Sequence, residues 1–328
     1  MTGKEAEAAR SLKNGLLLAE KQLRNSDRHV QLMFEDTADS PRQTILVTRK
    51  LADLEQVKMM VTLGNLETGI VAPIAEEHKI ITVMAAWDPA LAEKYDYLFS
   101  NTVTYKGWAK VSLELLQKQG VDTIAAVVGQ DEGNQLAWEF LKKNAAAYGV
   151  TVTEEVTLPN ETRDTAAAVK KLTTVKPEAY FVMVGYPACD AFLQELRKVE
   201  PQAPVSGYLD RVQDKALANG ASYISMEPGR KKFEKLHMEE YGNTDYVMTA
   251  LYGFDTYNIL NQLAAEFPVW KAEKAREELT QMDDFAGMAG SLESDENGVI
   301  EQALFLKQVQ FGKPTVISWK AFERAPTP

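Results

Sequence analysis

The sequence predicts an α/β protein of two lobes, each a mostly parallel sheet flanked by helices. Residues 57–104 contain the apolar runs VKMMVTL, KIITVM and DYLFSN, each stopping where small or polar residues begin. Glu67 to Glu77 has helical patterning between the first two runs, and strand, helix, strand makes a parallel pair. A second alternating set of strands and helices follows up to residue 207, with enough apolar residues for its own core. Two similar α/β units in succession favour two lobes over one long sheet.

Residues 4–25 read as a helix, with Leu12, Leu16, Ala19 and Leu23 on one stripe and Asn25-Ser26 as its end. HVQLMFED is then a strand, and residues 39–56 a helix leading into the apolar runs. After Thr104 come a helix at 105–119, the strand DTIAAVVG, a helix from Asn134 to Tyr148 closed by Gly149, and the strand VTVTEEVTL. A helix at 163–174, the strand AYFVMVG, a helix at 188–199 and the short strand APVSG complete the second set. Residues 230–282 are mainly helical, 286–300 read as a Gly-rich turn region, and ALFLKQVQFGKPTVISW as a hairpin turning at Gly312-Lys313.

With 328 residues and 45% apolar content, the chain can bury a substantial core. A formal charge of −11 argues against a phosphate-backbone partner, so no nucleic-acid partner is expected. The one cysteine, Cys189, cannot form an internal disulfide, and His29, His78 and His237 have no metal-ligand spacing, so neither metal nor cofactor is expected. The apolar runs are too short to cross a bilayer, and MTGKEAEAARSLK lacks the apolar core of a signal peptide. Nucleophile-elbow, phosphate-loop, zinc-helix and dinucleotide motifs are absent from the sequence, which argues against an enzyme.

The Gly64-Asn65 turn, then APIAEE, an apolar strand, A-A-x-D-P-A-L and Y-x-Y-L-F together resemble the periplasmic solute-binding proteins of branched-chain amino acid ABC transporters, the type I periplasmic binding fold. The resemblance is one of order and spacing from about Thr2 to Ile317. It implies that a central strand precedes the first helix; the chain opens at Thr2-Gly3, so the first strand of lobe 1 is expected to be missing. It also implies lobes of residues 1–103 plus 227–298 and 104–226 plus 299–328, with crossings near Val103-Thr104, Met226 and Gly298.

Ligands of doubly wound sheets bind beyond the carboxyl ends of the strands, which selects five loops. In Gly64–Thr68 the backbone opens a helix, a place suited to a carboxylate, with Asn65, Leu66 and Thr68 at hand; Asn65 can equally cap that helix. Ala85-Ala86-Trp87 resembles the family loop that grips the ligand's amino and carboxylate groups. Trp87 replaces the usual hydroxyl and gives either a flat wall for a larger or aromatic ligand or a packed rim residue. Glu132 stands where the family places a covering aromatic, or belongs to a solvated acidic turn. By the same resemblance, Tyr186 falls where the family places a ligand-stacking aromatic, and Tyr208 or Asp210 where amino-acid binders hold the ligand ammonium.

The expected function is capture of a small ligand, an amino acid or small carboxylate, aromatic ones included, between two lobes, and its delivery to the permease of an ABC importer. By resemblance the protein is expected to be periplasmic and monomeric. A cytoplasmic ligand-sensing regulator on the same fold is the alternative.

Overall fold

The computed structural model describes residues 2, 6–23, 30–225, 230–243, 246–288, 290–302 and 304–318. The chain divides into two compact units, residues 1–104 with 228–303 and residues 105–227 with 304–328. The expected crossing near Met226 lies outside the described residues. The third crossing falls after residue 303 instead of near Gly298, because the strand Val299–Gln302 stays in the first unit, parallel to Leu98–Asn101.

Unit 1 contains α1 (Ala6–Leu23), α2 (Pro41–Arg49), β1 (Met59–Leu63), α3 (Asn65–Glu77), β2 (Ile81–Ala85) and β3 (Leu98–Asn101). It continues after the second unit with α8 (Arg230–Tyr241), α9 (Val247–Glu266), α10 (Ala272–Thr280), β9 (Phe285–Gly287), β10 (Gly290–Ser294) and β11 (Val299–Gln302). The sheet order is β1-β2-β3-β11-β10-β9. β1, β2, β3 and β11 run parallel, and β10 pairs antiparallel with both β11 and β9.

β2 is buried at every position because both of its faces are covered. Ile81 and Val83 pack against Ile259, Leu260 and Leu263 of α9, whereas Met84 meets Ala72 of α3 on the opposite face. Helix α9 is apolar nearly all round because it is enclosed by the sheet and by α1. The α1–α9 crossing is close enough that a Cβ on Gly15 would lie 1.7 Å from the Ala250 carbonyl oxygen.

Two expectations for this unit are corrected. Residues 30–36 form no strand: Val30, Leu32 and Phe34 face the core around Leu16 and Phe254, but α9 side chains meet the backbone. Asn261 Oδ1 accepts from the Val30 N–H at 2.9 Å, and the Tyr257 hydroxyl donates to the Val30 carbonyl at 2.9 Å. Residues 286–300 are not merely a turn region but build β9, β10 and the start of β11. At β10 and β11 the Asp295 carboxylate closes the connecting turn, accepting from the backbone N–H groups of Asn297 and Val299.

Unit 2 contains α4 (Tyr105–Lys118), β4 (Thr123–Gly129), α5 (Glu132–Ala145), β5 (Thr151–Leu158), α6 (Ala166–Thr174), β6 (Ala179–Met183), α7 (Ala188–Val199), β7 (Val205–Gly207), β8 (Ser222–Ser225), β12 (Phe305–Gln310) and β13 (Lys313–Val316). A wholly parallel sheet β5-β4-β6-β7 adjoins an antiparallel sheet β13-β12-β8 within this unit. Along β6 the side chains alternate: Phe181 meets Trp108 of α4 and Trp138 of α5, while Tyr180 and Val182 join Phe192 and Leu196 of α7.

Candidate functional site

In unit 1 the parallel strands β1, β2 and β3 end together, and the chain turns sharply after each. Gly64, at φ 76°, caps α3 in a conformation that favours glycine, and its N–H donates to the Ala85 carbonyl. After β2, the Asp88 carboxylate accepts from the Ala90 N–H and stops the chain at Pro89. These turns leave a cavity of about 130 Å³ lined by Leu63, Ala85, Ala86, Trp87, Thr102, Val103, Thr249 and Tyr252. The hollow is more open than enclosed, and its lining mixes apolar side chains with those of Thr102, Thr249 and Tyr252.

Ala85 and Trp87 therefore stand at the cavity, Trp87 half-buried. The other residues expected in unit 1 are placed elsewhere. The Asn65 side-chain amide donates to the Asp88 carbonyl at 2.8 Å, bracing one strand-end loop against the next. Thr68 is fully buried; its hydroxyl donates to the Gly64 carbonyl and accepts from Thr62 Oγ1 at 2.7 Å, so it shapes the turn from within. Leu66 projects outward, 78% exposed. Glu67 accepts from the Thr37 hydroxyl, and burial raises its carboxyl above the usual range against the opposing effect of that bond.

Thr102, Val103, Thr249 and Tyr252 line the cavity without having been expected there. Thr102 and Val103 directly follow β3, so the strand-end rule alone could have found them. Thr102 donates to the Ala86 carbonyl, tying the loop after β3 to the loop after β2. Thr249 and Tyr252 belong to the first turns of α9, and only the packing of that helix on the sheet brings them to the strand ends.

In unit 2 the loops after β4, β5, β6 and β7 lie at one end of the parallel sheet. Asn160, unmarked in the sequence reading, joins three of them. Its Oδ1 accepts from the Gly185 N–H at 2.7 Å, its Nδ2 donates to Asp131 at 3.0 Å, and its carbonyl accepts from the Ala188 N–H. Asp131 also caps α5, accepting from the Asn134 N–H. Glu132 is exposed in the first turn of that helix, and Tyr186 presents a ring 54% exposed. Tyr208 is half-buried, edge-on to Trp108 with ring centroids 5.8 Å apart.

Asp210, expected as the alternative to Tyr208 at the ligand ammonium, turns inward. Its Oδ1 accepts from Ser225 Oγ at 3.0 Å and Tyr223 Oη at 3.2 Å, and Lys307 Nζ lies 3.6 Å away. Burial, followed by the charge of Asp210, raises the Tyr223 phenol. The carboxylate thus holds β8 and β12 to the turn after β7. Among the described residues no group of three metal-ligating side chains is found, and no helix is long and apolar enough to cross a membrane.

The family described as periplasmic binding protein matches residues 1–314. A solved structure of a proposed branched-chain amino acid ABC transporter from Rhodospirillum rubrum is similar at TM-score 0.85 and 18% identity, covering 96% of this chain and 97% of that one. A solute-binding protein of an ABC transporter from Rhodopseudomonas palustris, in complex with 3,4-dihydroxybenzoic acid, is similar at TM-score 0.74 and 18% identity over 97% and 93% of the two chains. The substrate-binding protein LivJ from Streptococcus pneumoniae, in complex with isoleucine, is similar at TM-score 0.71 and 15% identity over 96% of each chain. At these identities the likeness establishes the fold. No curated protein sequence matches.

Proposed function

The chain belongs to the periplasmic binding protein family, and from that premise we propose that it is an extracytoplasmic solute-binding protein that captures a small carboxylate and delivers it to the permease of an ABC importer. The observation that carries this reading is the unit 1 cavity, whose strand-end position is where such sheets hold ligands. Its lining supports an apolar ligand body: Leu63, Ala85, Ala86, Trp87 and Val103 give walls, and Thr102, Thr249 and Tyr252 bring hydroxyl groups.

The solved relatives bound to isoleucine and to 3,4-dihydroxybenzoic acid bracket the ligand size. Both ligands are carboxylates, and one carries a ring. Trp87 at the rim favours the ring-bearing class, because a flat apolar wall gains most from an aromatic partner. No covalent step is part of this function: binding and release suffice.

A thermal-shift screen of amino acids, benzoate, hydroxylated benzoates and short amides tests the proposal. A true ligand at a hundred times its dissociation constant stabilises by about 2.7 kcal/mol, a shift on the order of 5 °C for a chain of this size. Absence of a shift throughout the panel at millimolar concentrations would contradict it.

A further inference from the structure

The cavity of unit 1 is lined by residues at the ends of β1, β2 and β3 and by Thr249 and Tyr252 from the first turns of α9. None of these lining residues carries a formal charge at neutral pH. The cavity can therefore read shape and neutral hydrogen-bonding groups, whereas a carboxylate set against uncharged partners is costly to bury. Its hydroxyl groups differ in what they already hold. Thr102 gives its one proton to the Ala86 carbonyl. Thr249 is half-buried, and none of the described residues is hydrogen-bonded to its hydroxyl.

That sets Thr249 apart from the other helical threonines of this chain. A threonine within a helix can return its hydroxyl proton to a carbonyl three or four residues back. Thr44, Thr48, Thr68, Thr173, Thr174 and Thr280 all do so, at 2.6 to 3.0 Å. Thr256, the other threonine of α9, accepts from Asn101.

Part of the cause lies where α9 begins. Three residues before Thr249, the Tyr246 carbonyl already accepts from the Thr249 and Ala250 N–H groups at 2.8 and 3.2 Å and from Ser11 Oγ of α1 at 2.8 Å. A carbonyl oxygen with two lone pairs and three donors has no room for a fourth. The Ser11 bond also ties the first turn of α9 to α1, so helix packing fixes where the Thr249 side chain stands. Its hydroxyl is thus a preplaced neutral donor and acceptor at the cavity wall.

We propose that Thr249 is a specificity-determining residue of the unit 1 cavity, its hydroxyl pairing with a neutral hydroxyl on the ligand body, so that the ligand class is small organic acids that carry a hydroxyl group apart from the carboxylate. This rests on the reading that the cavity holds the ligand body. A ligand hydroxyl both gives and takes a hydrogen bond, as Thr249 does. A bare hydrocarbon edge in the same place would strip water from the Thr249 hydroxyl and return nothing, so the plain ligand is penalised as the hydroxylated one is favoured.

Calorimetry on the full chain decides it, using benzoate, 4-methylbenzoate, 3-hydroxybenzoate and 4-hydroxybenzoate. The expected result is that one hydroxybenzoate binds about tenfold more tightly than benzoate and 4-methylbenzoate, the methyl compound filling similar space without a hydrogen bond. Thr249→Val, which removes the hydroxyl at nearly the same shape, should abolish that preference by weakening the hydroxybenzoate alone, and Thr249→Ser should keep it. A preference that survives in Thr249→Val, or that is missing from wild type while benzoate binds, overturns the Thr249 assignment and leaves the solute-binding reading standing. Equal weakening of all the acids in Thr249→Val also overturns it, since the hydroxyl then serves the carboxylate or the fold. If none of the four probes binds at millimolar concentration, both the assignment and the proposed function fall. Urea unfolding curves without ligand separate lost binding from lost folding in each variant.

Discussion

Gln302 Nε2 donates to Asn101 Oδ1 at 2.7 Å, and Asn101 Nδ2 passes the chain on to Thr256 Oγ1 at 2.8 Å. All three residues are buried. Asn101 ends β3 and Gln302 ends β11, each within a few residues of where the chain leaves unit 1. The amide pair therefore fixes the register of two exit strands at their last residues.

Asn101→Ala would leave the Gln302 amide and the Thr256 hydroxyl without this partner. An unsatisfied buried group costs about 1–3 kcal/mol, so the variant should unfold at clearly lower urea concentration than wild type. An unchanged midpoint would mean that other groups or water replace the bond.

The crossing of α1 and α9 gives a second expectation. A Cβ on Gly253 would lie 2.3 Å from the Leu12 carbonyl oxygen, and one on Gly15 would meet Ala250. In an open helix Gly→Ala stabilises by about 1 kcal/mol. Here overpacking against backbone works in the other direction, at about 1–3 kcal/mol or more, so Gly253→Ala should destabilise in urea titration. Net stabilisation would show that the helices do not approach this closely.

Cys189 supplies a pH test. It is fully buried, and burial, followed by the neighbouring Asp190, pushes its thiol from 9.0 up to about 12. The raised value means that the folded chain keeps this proton after the unfolded chain has lost it. Its stability contribution is present below pH 9 and declines as pH rises from about 9 towards 12. The melting temperature should therefore fall with a shallower slope in Cys189→Ala than in wild type across that window. Iodoacetamide at pH 8 should modify the urea-unfolded chain and spare the native one; equal rates would contradict the burial.

Much of the architecture was legible because β2 and β6 are mostly apolar runs, with Thr82 the one polar residue of β2, a pattern that arises when both faces of a parallel strand are covered. The strands β9 to β11 were not, being three to five residues long, with Gly, Ala, Ser and Glu breaking up the few apolar positions Phe285, Leu292, Val299 and Ile300, so that pairing follows from a neighbouring edge more than from propensity. Residues 30–36 misled for the reverse reason: alternation of Val30, Leu32 and Phe34 records one buried face, and a buried face does not require a ladder.

Ala85 and Trp87, selected by their strand-end loop and by resemblance, line the unit 1 cavity. Tyr252 and Thr249 were not expected, since the sequence pattern of α9, buried along much of its length, does not distinguish the turn that reaches the strand ends. Thr68 was selected by its strand-end loop and Asp210 by resemblance, and neither ground reveals the hydrogen bond of Thr68 with Thr62 or that of Asp210 with Ser225 beside Lys307.

The central claim is that the unit 1 cavity beside Trp87 holds the ligand body. The most direct measurement is a calorimetric titration of wild type and Trp87→Ala with the ligand that gives the largest thermal shift. Trp87 is half-buried, so its removal should leave the fold intact while deleting one wall of the cavity. The account predicts a loss of about 1–3 kcal/mol of binding, roughly tenfold to a hundredfold in affinity, with the melting temperature of the unliganded protein little changed. Affinity equal to wild type in Trp87→Ala would contradict it and place the ligand elsewhere on the protein.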